Sequence, residues 1–125
     1  MTLKLGWFTA GRGMGSRGMF ERALAAIDDG SLGASIEFVF MHRERGEGEG
    51  SDDFMDLAAS RGIPVANLSS QHFKQEHGGN FALYREEYDS KVVEILRPYD
   101  ADVCVLAGYL LILSTVLTAA YNSVN

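Results

Sequence analysis

The chain has 125 residues, 46% hydrophobic and 22% charged, the balance of one globular domain able to bury a core. A net charge of −6 excludes a general nucleic-acid binder, because neutralising phosphates takes a basic surface. The lone Cys104 excludes an internal disulfide framework, no Cys/His grouping has zinc-ligand spacing, and MTLKLGWF is not built as a secretory signal, so a reducing cytoplasm is expected.

Residues 3–9 (LKLGWFT) predict a buried strand. The stretch TAGRGMGSRGMF follows as a glycine-rich loop, and MFERALAAI predicts a helix over about residues 19–29 with Gly30 as its stop. SIEFVFMH, rich in β-branched and aromatic residues, predicts the second strand. RERGEGEGSDD reads as a mobile polar loop, with Ser51 and its two following acids as the N-cap of a helix reaching about Arg61. IPVANL predicts a third strand, and SSQHFKQEHGGN a second polar loop. A helix is expected from about Phe81 to Arg97, with Tyr88, Val92, Ile95, Leu96 and Tyr99 on one face and Pro98 at its end. DVCVLA predicts a fourth strand, and residues 114–121 a short helix.

From Val103 on there is no charged residue, and VCVLAGYLLILSTVLTAAY approaches a membrane span in length. No basic residue follows Arg97, however, and Gly108 and the Ser114-Thr115 pair divide the run into a strand-length and a helix-length piece. A buried core is the expectation there. Strands alternating with helices predict an α/β fold, a three-layer Rossmann-like parallel sheet with right-handed crossovers. Ligands in such folds collect at the carboxyl ends of the strands, which directs attention to the loops after residues 9, 41, 68 and 106.

Gly13-Met14-Gly15-Ser16-Arg17-Gly18 spells G-x-G-x-x-G. A dinucleotide fingerprint also needs an acid at the tip of the second strand, and Phe40-Met41-His42-Arg43 supplies none. His42-Arg43 would suit a 2′-phosphate, so an NADP-type nucleotide-binding domain stays open as an alternative. Independently of cofactor, the glycines, the Ser16 hydroxyl, Arg12, Arg17 and a helix start form a phosphate cradle. His42, His72 and His77 fall in or beside polar loops without a partner pattern, and Cys104 reads as a buried apolar residue. The acids around Glu47, Glu49, Asp52 and Asp53 lack a calcium-loop order and read as a solvated loop, so no metal is expected.

Several stretches together resemble the folate-dependent formyltransferase family, nearest its glycinamide ribonucleotide (GAR) formyltransferases of purine synthesis. They are GMGSRGMFERAL, RGIPV, YREEYDSKVVEILRPYDADVCVLAGYLLILS and the terminal Asn. The resemblance implies a formyltransferase N-terminal-type fold and transfer of a formyl group from 10-formyltetrahydrofolate, as co-substrate, to the amine of GAR. It implies that Gly15, Ser16 and Arg17 hold the ribonucleotide phosphate, with Arg17 where members carry Asn. It places Gly108 beside the ribonucleotide, Arg85 on the folate, and Leu110, Leu111, Ile112 and Leu113 along the pterin slot, with Leu111 where members commonly carry Arg. Asn125 matches the Asn of the family's Asn-x-His-Pro motif, whose His would be residue 127.

On this reading residues 1–125 are one formyltransferase-like domain, incomplete at the carboxyl terminus, truncated from roughly 200 residues. The piece is expected to bind phosphate without catalysing transfer. Its partners are then a small-molecule ribonucleotide and a folate, not nucleic acid or membrane. A formyltransferase acting on another amine, such as a sugar nucleotide or an aminoacyl-tRNA, is the alternative within the family.

Overall fold

The computed structural model describes residues 2–111 and 113–124. In chain order the elements are β1 (Leu3–Thr9), α1 (Met14–Asp28), β2 (Ala34–Met41), α2 (Glu49–Ser60), β3 (Val65–Asn67) and α3 (Ser70–Glu76). A 3-10 turn over Phe81–Tyr84 then leads into α4 (Arg85–Leu96), β4 (Val103–Leu106), α5 (Thr115–Ala120) and β5 (Ser123–Val124). The strands form one sheet in the order β3-β2-β1-β4-β5, and each pairing is parallel. This is the expected Rossmann-like α/β architecture. Strand order reverses between β1 and β4, so the crevice beyond their carboxyl ends is the switch point where such sheets take ligands.

The sheet is buried on both faces, which is why its strands read as unbroken apolar runs. On one face, Leu5, Trp7, Val39 and Met41 pack with Phe20 and Leu24 of α1 and Phe54, Met55 and Ala58 of α2. On the other, Phe8, Phe38 and Phe40 pack with Phe73 of α3, with Tyr88, Val92 and Leu96 of α4, and with Leu117 of α5. The i, i+4, i+8 spacing of that α4 triad is the helical stripe the sequence displays. A register shift between Leu5 and Gly6 leaves Glu37 without a partner, since Leu5 pairs Ile36 and Gly6 pairs Phe38. That bulge reverses the alternation along β2, sending Ile36 and Val39 to the same face. Gly6 faces the Phe38 ring at a point where a β-carbon would collide with it.

Four local expectations are corrected. Helix α1 starts at Met14, not near residue 19, so Gly15 and Gly18 lie inside it and the connecting loop is short. Ser51 is not an N-cap: α2 starts at Glu49 with Gly48 in that role, and Ser51 is buried, donating from Oγ to the Ala10 carbonyl at 2.7 Å. The polar run SSQHFKQE is the helix α3, capped by Ser69, whose Oγ accepts from the His72 N–H at 3.1 Å. The expected mobile stretch after β2 is tied down: Gly46 N–H donates to Asp52 and Asn67 Nδ2 to the Arg43 carbonyl. Among the described residues no helix is long and apolar enough to cross a membrane; the apolar run is divided between β4 and α5.

Candidate functional site

The crevice between β1 and β4 is closed by a backbone clasp. Ala10 N–H donates to the Gly108 carbonyl at 3.0 Å and Ala107 N–H to that of Phe8 at 2.9 Å. Gly108 holds φ +74°, open to glycine at little cost, and a β-carbon there would run into the Ser16 hydroxyl. The turn after β4 is thus pressed against the first turn of α1.

That first turn is prepared for an anion. Its N-cap, Gly13, offers no side-chain hydrogen bond, and no acidic residue occupies the turn. The earliest N–H groups of a helix have no partner within it and carry the positive end of its dipole. Above Gly13 and Gly15 a β-carbon would meet nothing within 4 Å, so the backbone there is open to approach. Arg12 and Arg17 join Gly11, Gly13, Met14, Gly50 and Asp53 around a cleft of 210 Å³ beside it, Arg17 also contacting Glu21 at 3.3 Å. Helix α2 closes this side, since a β-carbon on Gly50 would lie 2.6 Å from the Arg12 carbonyl oxygen.

On the other side of Gly108, the chain runs along α4. Phe81, Ala82 and Arg85 face Leu110 and Leu111 across a 210 Å³ cleft. Arg85 also borders an adjoining cleft of 370 Å³, with Leu83, Glu86, Leu113, Ser114 and Thr115. The structure therefore brings Arg85, Leu110, Leu111 and Leu113 together, and separately brings Gly108 to Ser16. Leu83, on the larger cleft, and Leu110, on the smaller, are 74% and 55% exposed, and Arg85 borders both clefts. Ile112 and Asn125 lie outside the described residues.

The far end of this wall is fixed by Asp89, almost fully buried on α4, whose Oδ2 accepts from both the N–H and the hydroxyl of Ser114 at 2.7 Å. Burial raises the pKa of that carboxyl above the ordinary value, and the Ser114 hydrogen bonds work against the rise. Cys104 is buried mid-strand, its thiol pushed up to about 12 by burial, which fits the inert apolar role.

The histidines depart from the loop environment expected of them. His42 is only 5% exposed at the end of β2, its Nδ1 3.0 Å from the Ser70 hydroxyl. Burial first, then the Arg43 charge, bring its pKa down to about 4, so the ring is neutral at pH 7. His77 stacks on Phe73 at 4.0 Å and bonds the Phe73 carbonyl. His72 Nδ1 meets Glu44 at 3.1 Å, and with Glu47 they bring three potential ligand atoms within 4.8 Å of one another. Glu47 is already bonded by the Glu44 N–H and the Ser69 hydroxyl. Spacing along the chain could not reveal the His42–Ser70 and His72–Glu44 contacts, because they join the segment after β2 to α3, 28 residues apart.

A protein-family model described as formyl transferase matches residues 13–125. The chain belongs to the formyl transferase family. Compared by sequence with curated proteins, it matches none. Among solved structures, this formyl transferase chain is similar to glycinamide ribonucleotide transformylase 1 of Symbiobacterium toebii, at 19% identity and a TM-score of 0.67. It is also similar to the phosphoribosylglycinamide formyltransferases of Coxiella burnetii (20%, TM-score 0.65) and Campylobacter jejuni (22%, TM-score 0.65). The alignments cover 96%, 95% and 98% of this chain but 48%, 47% and 56% of those chains. The likeness shows the fold, and the chain spans about half the length of these relatives.

Proposed function

We propose that this formyl transferase chain carries the phosphate cradle and folate wall of an enzyme that moves a formyl group from 10-formyltetrahydrofolate to the amine of GAR, in purine synthesis in the cytoplasm. Residues 1–125 would form one domain, the amino-terminal part of the whole enzyme. The observation that supports this most is the span of a single segment. Its first residue, Gly108, abuts Ser16 at the start of α1, and Leu110, Leu111 and Leu113 border the Arg85 clefts. A phosphate at one end and a flat aromatic donor at the other would thus meet over one stretch of backbone.

In this reading Gly15, Ser16 and Arg17 receive the ribonucleotide phosphate through backbone N–H groups, a hydroxyl and a guanidinium. Gly108 leaves room for the ribonucleotide beside its backbone. Arg85 pairs with an anionic part of the folate, and Leu110, Leu111, Ile112 and Leu113 shape the pterin slot. The acceptor amine attacks the formyl carbon, the carbon–N10 bond of the donor then breaks, and the amine's proton ends on N10. Charge collects on the formyl oxygen between these steps, and the Asn125 amide is the group here suited to donate to it. By the family resemblance, a His and an Asp would complete that work.

Arg12 and Arg17 on one cleft favour a second reading of the acceptor, an amine on a sugar nucleotide with more phosphate charge than GAR. Calorimetric titration of the chain with GAR, a sugar nucleotide and folate separates the two. Folate and GAR binding, abolished together by Gly108→Val, is the expected result. Binding of the sugar nucleotide without GAR would move the acceptor, and failure to bind any folate would remove the donor.

A further inference from the structure

Among the described residues, two buried polar groups at the carboxyl edge of the sheet find no hydrogen-bond partner: His42 Nε2 and the Tyr109 hydroxyl. Buried polar atoms are nearly always paired, so two orphans in adjacent side chains call for a common explanation. The rings meet edge to face, at 84° with centroids 5.2 Å apart. His42 directly follows β2, and Tyr109 directly follows Gly108.

Their chemistry is complementary. The Ser70 hydroxyl reaches both His42 Nδ1, at 3.0 Å, and the His42 carbonyl, at 3.3 Å. When its proton goes to the carbonyl, Nδ1–H must donate to Oγ, which leaves Nε2 as a bare acceptor. A tyrosine hydroxyl both donates and accepts, so it matches Nε2 in either tautomer. The competing partner is Tyr88, whose hydroxyl donates to the Leu68 carbonyl and leaves its oxygen able to accept from the neighbouring Tyr109 hydroxyl.

The Tyr109 ring itself packs edge to face on Phe8 at 5.3 Å and on Phe40 at 6.2 Å. Ring contacts resist loss of area but set orientation weakly. At the other end of the segment Asp89 holds Ser114 with two hydrogen bonds. A polar tie at Tyr109 would fix the near end as Asp89 fixes the far one.

We propose that His42 is a positioning residue: its Nε2 pairs with the Tyr109 hydroxyl, directly or across one water, and this latch sets Leu110 and Leu111 against the Arg85 cleft. The consequence for folate rests on the functional reading above; the latch itself does not.

The experiment uses the full chain with uniform 15N label and the conservative variant Tyr109→Phe, which keeps the ring and removes the hydroxyl. The His42 Nε2 resonance is expected to shift in the variant, together with the amides of Leu110 and Leu111, while Tyr88→Phe leaves Nε2 unmoved. In a His42→Leu background, Tyr109→Phe should add no further shift at Leu110 and Leu111. Folate titrated into the same samples should bind about three- to tenfold more weakly to Tyr109→Phe, the worth of one ordinary hydrogen bond. An Nε2 resonance that ignores Tyr109→Phe overturns the latch, whatever folate does. Shifted resonances with no folate binding by any sample sustain the latch and remove the folate reading instead.

Discussion

The backbone of Gly108 lies against the hydroxyl of Ser16, with no room for a β-carbon between them. This contact joins the turn after β4 to the first turn of α1, at the point where strand order reverses. Gly108→Ala meets two obstacles, φ +74° and the Ser16 side chain. It should destabilise the chain by about 1–3 kcal/mol. Chemical denaturation measures that loss, and adding Ser16→Ala should recover the part due to collision but not the part due to φ. Full recovery would mean the backbone conformation costs nothing here.

Arg17 lies in the first turn of α1, on the cleft it shares with Arg12. Arg17→Ala should weaken binding of inorganic phosphate about tenfold at low salt, with the difference shrinking as salt is added. Its contact with Glu21 joins two partly exposed side chains, so stability should change by under about 1 kcal/mol. Calorimetry at two ionic strengths reads both. Unchanged phosphate affinity would place the anion elsewhere.

Arg85 borders both clefts along α4. Arg85→Ala should reduce folate affinity by about tenfold, and Arg85→Lys should restore only part, because an ammonium lacks the planar fork that grips a carboxylate. The melting temperature should hardly move, since Arg85 has no ion-pair partner among the described residues and lies at the surface of the clefts. Loss of stability in place of affinity would make Arg85 structural.

The layout of this site was legible in the sequence to different depths. Apolar strands and the Tyr88, Val92, Leu96 stripe announced a parallel sheet with helices, because burial on both faces removes alternation and helical burial imposes a period. The association of Arg85 with Leu110, Leu111 and Leu113 came from family resemblance alone; composition reads that stretch as plain core. Three glycines suggested a long loop before α1, yet Gly15 and Gly18 are helical, because packing of Phe20 and Leu24 on the sheet overrides their weak propensity. Ser51 does not cap α2, and Ser69, expected in a polar loop, caps α3. Ser51 precedes two acids but its hydroxyl is drawn to the Ala10 carbonyl, a contact 41 residues away that local patterns cannot show. The burial of His42 was equally invisible, since it depends on α3 closing over the end of β2.

That burial has a pH signature. The folded His42 takes a proton only near pH 4, whereas an unfolded histidine does so near 6.5. Its folded pKa is depressed, so the contribution is full above pH 6.5 and is lost as pH falls from 6.5 towards 4. The loss attached to this one group is roughly 3 kcal/mol. Arg43 and Arg12 disfavour the charged ring and Glu47 favours it. Urea midpoints at several pH values should fall across that window in the native chain and fall less in His42→Gln. Parallel curves for the two proteins would show that other groups dominate.

The most direct test of the account is formyl transfer by the natural protein at its full encoded length, given GAR and 10-formyltetrahydrofolate. The account predicts formylated GAR and tetrahydrofolate in equal amounts, with the rate cut steeply by Gly108→Val and by Asn125→Ala. Formylation of another amine while GAR stays untouched, or no release of tetrahydrofolate with any amine acceptor, would contradict it.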